Sequence, residues 1–406
     1  MTELAPFSIP GVEHVWVLGA LERNVSIQLQ QVRALNLVWQ LHRTGRLVAG
    51  TEILVVGGGF AGLTAAAGAA RLGAEVTVLE RGAALLSLQR NNRVRVIYPH
   101  LHEWPRPEAK HERAGLPVLD WRAQLAADMA AEVLAGFERE MARGHIVLRL
   151  DAPPLDEAGV LEAALRGEVI LALGLGVERS FGSLPLGSYW LDDTIRQPVV
   201  DGRPARHLVS GLGEGGVIDA MTLALSDFSH GQLADAIDAV DGMAAVHAAL
   251  LAIERDVDLE AADTARANRE LTAAYRALVV PPAVDDWLRA HRRNDTAVTL
   301  NGPERDAISP KADLLNRFVM SRLLQTGVVD YHPGAIATLT GDDHAGYAVT
   351  FDDGSRLDFD RVHIRHGTVP ALAAAFPSLW ARYRPNRMSL PFDVPLRQWP
   401  PTAFNP

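Results

Sequence analysis

The sequence predicts an α/β protein: a Rossmann-type dinucleotide-binding domain joined to a second, modified Rossmann-like domain that carries a large helical insertion. Three observations predict it. A βαβ unit with a glycine-rich turn, "EILVVGGGFAGLTAAAGAARLGAEVTVLE", begins at Glu52. A second strand, glycine loop and helix start, "HLVSGLGEGGVIDAM", begins at His207. Residues 231–293 are then almost continuously helical in pattern.

Residues 12–50 read as a short strand and an amphipathic helix, with Leu29, Val32, Leu35, Leu37, Val38 and Leu41 near helical spacing up to Thr44 and Gly45. In the βαβ unit, "EILVVGGG" is a buried strand, "GLTAAAGAARLG" a helix of small residues able to press on a sheet, and "AEVTVLE" the second strand. Residues 83–120 are rich in Pro, His, Arg and Trp without periodicity, so they form a long ordered excursion of the kind that carries function. A helix over 122–143 and the strand "HIVLRL" follow. "EVILALGLG" is another buried strand, with a proline-bearing connector after it. Beyond the helical stretch lies a helix around "ADLLNRFVMSRLLQ", then strand alternation with a hairpin at Asp352, Asp353 and Gly354. The proline-rich tail from Phe376 is an ordered wrap. The expected division is an N-terminal extension (1–50), a first nucleotide-binding domain (51–190 and 330–370), a second domain (191–330) with the insertion 231–293, and a C-terminal wrap (371–406).

With 48% apolar and 22% charged residues the chain has the composition of a globular protein, and 406 residues suffice for two or three cores. The formal charge of -10, without a long basic run, makes nucleic acid a poor partner. The chain contains no cysteine, which excludes disulfides, thiolate metal sites and cysteine redox chemistry. A redox reaction here needs a bound cofactor. The N-terminus lacks a basic start followed by an apolar run, and no stretch reaches the ~20 apolar residues of a membrane span, so a cytoplasmic location without membrane contact is the expectation.

The fingerprint Gly57-x-Gly59-x-x-Gly62 falls where its physics requires. Gly57 makes the tight turn, Gly59 admits a pyrophosphate, and Gly62 lets helix and strand pack closely. The helix start offers free N–H groups and partial positive charge. Glu80 closes the second strand near the ~20-residue offset at which an acid meets a ribose. Phe60 and Ala61 inside the loop and Arg81 beside the acid join the candidate set.

"VVGGGFAGLTAAAGAARLGAEVTVLERG" resembles the FAD-binding segment of the flavoproteins with two dinucleotide-binding domains, which include flavin-dependent monooxygenases, pyridine-nucleotide reductases and amine oxidases. The resemblance implies FAD as cofactor, with Gly57, Gly59 and Gly62 around its pyrophosphate and Glu80 on the adenosine ribose. "EVILALGLGVERSFGSLPLGSYW" is similar to the family's alanine-threonine-glycine segment, with Leu173 in place of threonine. "GSRLDFDRVHIRHG" is similar to its closing segment, so the resemblance puts Gly174 and Gly367 on the flavin side. The chain departs from the family in lacking a cysteine pair, which rules out the disulfide reductases, and in lacking the usual paired glycines after the acid.

Among candidate site residues, His100 and His102 in "IYPHLHEWPRP" suit proton transfer beside flavin or substrate, with structural hydrogen bonding as the alternative. A metal reading of His100, His102, Glu103 and His111 matches no standard ligand spacing, so no metal is expected. Arg93 and Arg95 share one face of an extended segment, facing a phosphate, an anionic substrate or solvent. Asp120 reads as a helix N-cap. "SPKADLLNRFVMSRLL" is faintly similar to the asparagine-arginine segment of amine N-hydroxylating monooxygenases; Asn316 and Arg317 either meet a ligand or belong to a solvated helix face.

Gly211-x-Gly213-x-x-Gly216 has the same spacing as the first loop, and its position matches the start of the family's NAD(P) domain. No second strand ending in an acid or arginine is visible after it, and Glu214 puts a carboxylate in the anion loop. The expectation is a relic or modified NAD(P) domain, with NAD(P)H as a second candidate cofactor. The leading functional expectation is an FAD-dependent monooxygenase or oxidase acting on a small organic molecule. The rival is a catalytically silent dinucleotide-binding protein that uses its helical insertion to dock a second copy or a protein partner.

Overall fold

The computed structural model describes residues 3–22, 25–182, 184, 189–190, 195–197, 199–200, 202–257, 259, 263–391 and 395–405. Part of the proline-bearing connector after "LALG" lies outside them. The chain begins with β1 (Ser8–Ile9), β2 (Val12–Val17), α1 (Ile27–Arg43), β3 (Glu52–Val56), α2 (Phe60–Arg71) and β4 (Glu75–Leu79). The excursion holds the short strands β5 (Val96–Ile97) and β6 (Gln124–Leu125). It leads to α3 (Ala126–Met141), β7 (Ile146–Arg149), α4 (Glu157–Ala164), β8 (Glu168–Leu171) and β9 (Val177–Glu178). The second half opens with β10 (Ala205–Ser210), α5 (Glu214–Ala224), α6 (His230–Asp238), α7 (Met243–Asp256), α8 (Thr264–Ala277) and α9 (Pro282–Ala290). It continues with β11 (Thr296–Gly302), α10 (Leu314–Gln325), β12 (Val329–Pro333), β13 (Ile336–Asp342), β14 (Gly346–Phe351) and β15 (Arg356–Phe359). Last come β16 (Arg361–Ile364), β17 (Thr368–Val369), α11 (Ala371–Ala375) and α12 (Pro377–Met388).

The first sheet runs β1-β2-β8-β3-β4-β7, parallel except for the edge strand β1. The N-terminal extension is therefore part of this sheet. Ser26 caps α1 by accepting a hydrogen bond from the Leu29 N–H, and His42 and Arg43 sit in its last turn, both favourable to the helix dipole and termini. Small residues on α2 let α1 approach closely: a Cβ on Gly68 would lie 3.0 Å from Leu35 Cδ2. One face of the sheet buries Leu35, Val38, Leu63, Val78 and Phe137, and the other buries Val15, Val160, Leu171, Leu379 and Tyr383. The C-terminal α12 thus covers the first domain, as a wrap does.

The second sheet, β12-β11-β10-β16, is parallel throughout. Its order repeats β7-β4-β3-β8, so each sheet places the third, second, first and fourth strands of its own unit side by side. Two sequence expectations change here. Residues 330–370 do not return to the first sheet, because β12 and β16 pair beside β11 and β10. And a second strand does exist after the second loop: β11, separated from α5 by the helical insertion. A two-stranded ribbon of β9 and β17 links the domains. Among the described residues, no single helix is long and apolar enough to cross a membrane.

The helical insertion has an internal task. Trp104 of the excursion is buried between it and α10, stacking on Phe318 of α10 and donating from Nε1 to Asp238 Oδ1 of the insertion at 3.0 Å, while Lys110 pairs with Asp235 and Asp238. Part of the face expected to meet a partner therefore holds the excursion instead.

Candidate functional site

At the first loop, Gly57 has φ +118° and a Cβ there would lie 2.3 Å from Ala172 O; a Cβ on Gly62 would lie 2.0 Å from Gly57 O. Only glycine fits either place. Around Gly59, by contrast, nothing lies within 4 Å of a built Cβ. The turn is thus closed by backbone at two glycines, that of Ala172 after β8 at Gly57 and its own at Gly62, and open at the third, which caps α2. Glu80 holds the neighbouring turn: its Oε2 accepts from the Gly58 N–H at 2.8 Å and its Oε1 from the Gly82 N–H at 2.7 Å. Each carboxylate oxygen keeps a lone pair for a ribose hydroxyl.

This loop opens on a cavity of about 2750 Å³ that reaches the second loop. That exceeds the ~300–1,000 Å³ of an ordinary small-molecule pocket and leaves room for a dinucleotide and a substrate together. Gly57, Gly59, Phe60, Ala61, Glu80, Arg81, Gly174, Gly211, Gly213, Gly367, His100 and His102 line it. Gly62 and Gly216 lie behind their loops in packing roles. Arg93 is brought elsewhere: it is exposed and borders a separate shallow depression beside Arg196 and Asp227. The expectation that it shares a ligand-facing surface with Arg95 fails, because Arg95 is buried. Its guanidinium donates to Asp219 at 2.8 Å and lies 3.6 Å over the Tyr189 ring, whose hydroxyl burial pushes up to about 12. Asp219 also receives Arg365, at 2.7 Å. The excursion, α5 and the end of β16 are held together through this one carboxylate.

His100 Nδ1 lies 3.0 Å from Glu103 Oε1 and its Nε2 3.1 Å from Arg113 O, contacts of the structural kind that the sequence offered as the alternative. His102 differs: its Nδ1 is buried without a partner, and burial lowers its pKa to about 4, leaving a neutral ring. Asp120 does not cap a helix. It accepts from the Leu116 N–H and from Arg113 and so closes the turn ahead of β6. Asn316 and Arg317 are not on a solvated face, since α10 is buried on both sides. Asn316 donates to Glu214 Oε1 at 2.6 Å, and Arg317 donates to the Glu254 carboxylate.

Three linked residues, Asn301, Ser210 and His366, escaped sequence reasoning. Asn301, at the end of β11, donates both amide hydrogens, to His332 O at 2.9 Å and Gly334 O at 2.8 Å. Its Oδ1 therefore faces Ser210 Oγ, which donates to it at 2.6 Å. The Ser210 hydroxyl has only one hydrogen, so the contact at 2.8 Å from His366 Nε2 requires His366 to donate. Burial, helped by Arg179, lowers the His366 pKa and keeps the ring neutral. The chain of bonds thus fixes the Nε2–H tautomer and leaves Nδ1 of this cavity-lining residue as an acceptor. No local signal reveals this, because the three side chains come from three separate strands or strand ends.

The second loop repeats the first in its turn glycines. Gly211 has φ +137°, and a Cβ on Gly216 would lie 2.0 Å from Gly211 O. Register aligns the two units: Gly57 N–H donates to Leu79 O and Gly211 N–H to Asn301 O, so Gly302 stands where Glu80 stands. A Cβ on Gly302 would meet Leu212 Cδ1 at 2.5 Å. Glu214 does not point its charge at the open loop as the sequence suggested. Both its oxygens are engaged by the start of α10, from the Asp313 N–H at 2.7 Å and from Asn316, and burial, with the Asp313 carboxylate, raises its pKa.

Residues 52–197, from β3 into the connector, match the family model described as FAD dependent oxidoreductase. The chain is similar to the solved bacillithiol disulfide reductase from Bacillus cereus, with 12% identity over 81% of this chain and 81% of that one and a TM-score of 0.42. It is similar to the lysine monooxygenase NbtG from Nocardia farcinica, with 14% identity, coverage of 80% and 83%, and a TM-score of 0.40. It is also similar to the 6-hydroxypseudooxynicotine amine oxidase from Pseudomonas geniculata, with 15% identity over 86% of this chain and a TM-score of 0.36, but spans only 40% of that chain's length. No curated protein matches the chain by sequence.

Proposed function

We propose that the chain is an FAD-dependent oxidoreductase acting on a small organic molecule, a monooxygenase or an oxidase; the match of residues 52–197 to the FAD dependent oxidoreductase model supports this reading. The observation that carries this reading is the first loop: closed by backbone at Gly57 and Gly62, open at Gly59, with the Glu80 carboxylate beside it. These residues fit the cofactor. The free N–H groups of residues 59–61 at the start of α2 would hold its pyrophosphate, and Glu80 would accept from the ribose hydroxyls. Gly174 and Gly367, both at positive φ, let the two crossing strands border the same cavity without side chains.

When bound, FAD supplies the two-electron chemistry that this cysteine-free chain lacks. The protein's own part is to bind, orient and handle protons. His366 offers Nδ1 as a neutral acceptor to an O–H or N–H group in the cavity, its orientation held by Ser210 and Asn301. His102 offers a second neutral ring. The mixed lining, from Phe60 and Leu173 to Tyr189, Trp190 and Phe181, suits a substrate with an apolar body and few polar groups.

The test is the cofactor content of the purified chain: a yellow protein that releases FAD on denaturation, and whose Glu80→Ala variant carries less of it, is the expected result. A colourless protein that takes up no added FAD would defeat the reading.

A further inference from the structure

We infer that Asn301, Ser210 and His366 form a relay that makes its end of the cavity selective for a hydrogen-donating group, an O–H or an uncharged N–H, over an acceptor-only group of the same shape. Asn301 and Ser210 are positioning residues in this relay, and His366 is the residue that meets the ligand. The inference names the polar group that the proposed substrate presents, and it rests on the FAD reading only in calling that ligand a substrate.

The two units of the chain show that the fold itself does not require the relay. Ser210 precedes the turn glycine Gly211 as Val56 precedes Gly57. The Gly211 N–H donates to Asn301 O as the Gly57 N–H donates to Leu79 O, so Asn301 stands where Leu79 stands. A Cβ on Gly211 would meet Arg365 O as one on Gly57 would meet Ala172 O, so His366 stands where Leu173 stands. Gly367 and Gly174, both at positive φ, follow them. The first unit thus carries valine and two leucines where the second carries serine, asparagine and histidine. Ser210 and Asn301 are only 2% and 1% exposed. Burying them gives up apolar contact that the same backbone accepts elsewhere, and what the exchange supplies is a fixed hydrogen-bond direction.

That direction runs one way. Both amide hydrogens of Asn301 are spent on carbonyls, His332 O and Gly334 O, so its amide cannot be turned over. Its Oδ1 takes the single Ser210 hydrogen, and Ser210 Oγ can then only accept from His366 Nε2. His366 Nδ1, which has no partner among the described residues, presents a lone pair. Burial, with Arg179, lowers the pKa of the ring and opposes a second proton. A donor completes the chain. An acceptor-only oxygen would set lone pair against lone pair, and moving the ring proton to Nδ1 would break the bond to Ser210. Phe181 stands edge-on to the ring at 6.0 Å, so the donor arrives on an apolar body.

The experiment is nitrogen NMR of the purified chain labelled at histidine, with the His366 signals assigned by their loss in His366→Gln. At neutral pH the expected spectrum has a protonated Nε2 and a bare Nδ1. Ser210→Ala is expected to give a mixture of tautomers, and Ser210→Thr, which keeps the hydroxyl, to restore the single one. The first unit has an apolar Val56 at this place, so the alanine variant is expected to fold, and its thermal melt checks that. Phenol is expected to shift the Nδ1 signal saturably, and anisole, its methyl ether, to bind roughly tenfold more weakly. A proton on Nδ1 in the unaltered chain, an unchanged tautomer in Ser210→Ala, or phenol and anisole acting alike on Nδ1 overturns the inference. The signals are read with or without flavin, so a colourless preparation counts against the FAD reading and not against the relay.

Discussion

Gly57 and Gly211 begin the same turn. Both sit at positive φ, both are followed by a glycine that caps a helix, and both press against a glycine five residues on. The loops then part. Beneath the first, α2 is a run of small apolar residues; beneath the second, α5 carries the cavity-lining Glu214, which accepts from the Asp313 N–H, and the buried Asp219, which gathers Arg95 and Arg365. Turn glycines therefore report the backbone geometry of a βαβ unit. What differs is what surrounds them: an acid or a glycine after the second strand, and a helix start that is empty to 4 Å or one that meets Lys311 at van der Waals distance.

Asp219→Ala breaks the comparison most severely. It removes the anion shared by two inward-facing guanidinium groups, at a cost of ~3–5 kcal/mol, whereas the aligned position on α2 is Ala65 and carries no charge at all. Chemical denaturation would show the loss as a lower midpoint with an unchanged slope. Next, Glu80→Ala leaves the Gly58 and Gly82 N–H groups without their partner, costing roughly 1–3 kcal/mol and much of the FAD affinity. At the aligned site Gly302→Ala is also destabilising by about 1–3 kcal/mol, but through overpacking against Leu212, and without a change in FAD content.

The glycine caps sharpen the contrast. Gly59 and Gly213 have ordinary φ, -82° and -83°, and each tolerates a Cβ sterically. Gly59→Ala is expected to weaken FAD binding at least tenfold, about 1.4 kcal/mol, because the methyl enters the space kept for pyrophosphate; Gly213→Ala is expected to leave FAD binding unchanged. Fluorescence titration of the apoprotein with FAD checks both. The smallest effect is on pH dependence. Because burial raises the Glu214 carboxyl above its ordinary 4.5, the folded state holds a proton that the unfolded chain has released. The contribution of this group is therefore present below that value and falls away as pH rises through the raised one. Glu214→Gln should flatten this part of the stability profile in thermal melts over that range; an unchanged slope would show that Glu214 is not its source.

The first loop was legible because its parts are contiguous. Strand, turn, helix, second strand and Glu80 follow one another, and Gly57 and Gly62 answer to contacts made at the end of β8 and within the unit. The second was legible only as far as its glycines. Its second strand, residues 296–302, follows a helical insertion, so the missing acid looked like a missing strand until register aligned Gly302 with Glu80. Asn316 and Arg317 were misplaced on a solvated face because the insertion that buries them, through Glu254 and Tyr275, lies far away in sequence. His366 gave no signal alone: its tautomer depends on an asparagine from β11 and a serine from β10, and their hydrogen-bond polarity exists only once the strands pair.

The role of the first loop is tested most directly by native mass spectrometry of the purified chain and of its Glu80→Ala variant. The account predicts an adduct with the mass of FAD on the chain and less of it on the variant. An absence of FAD from the chain, or an equal load on the variant, would contradict it.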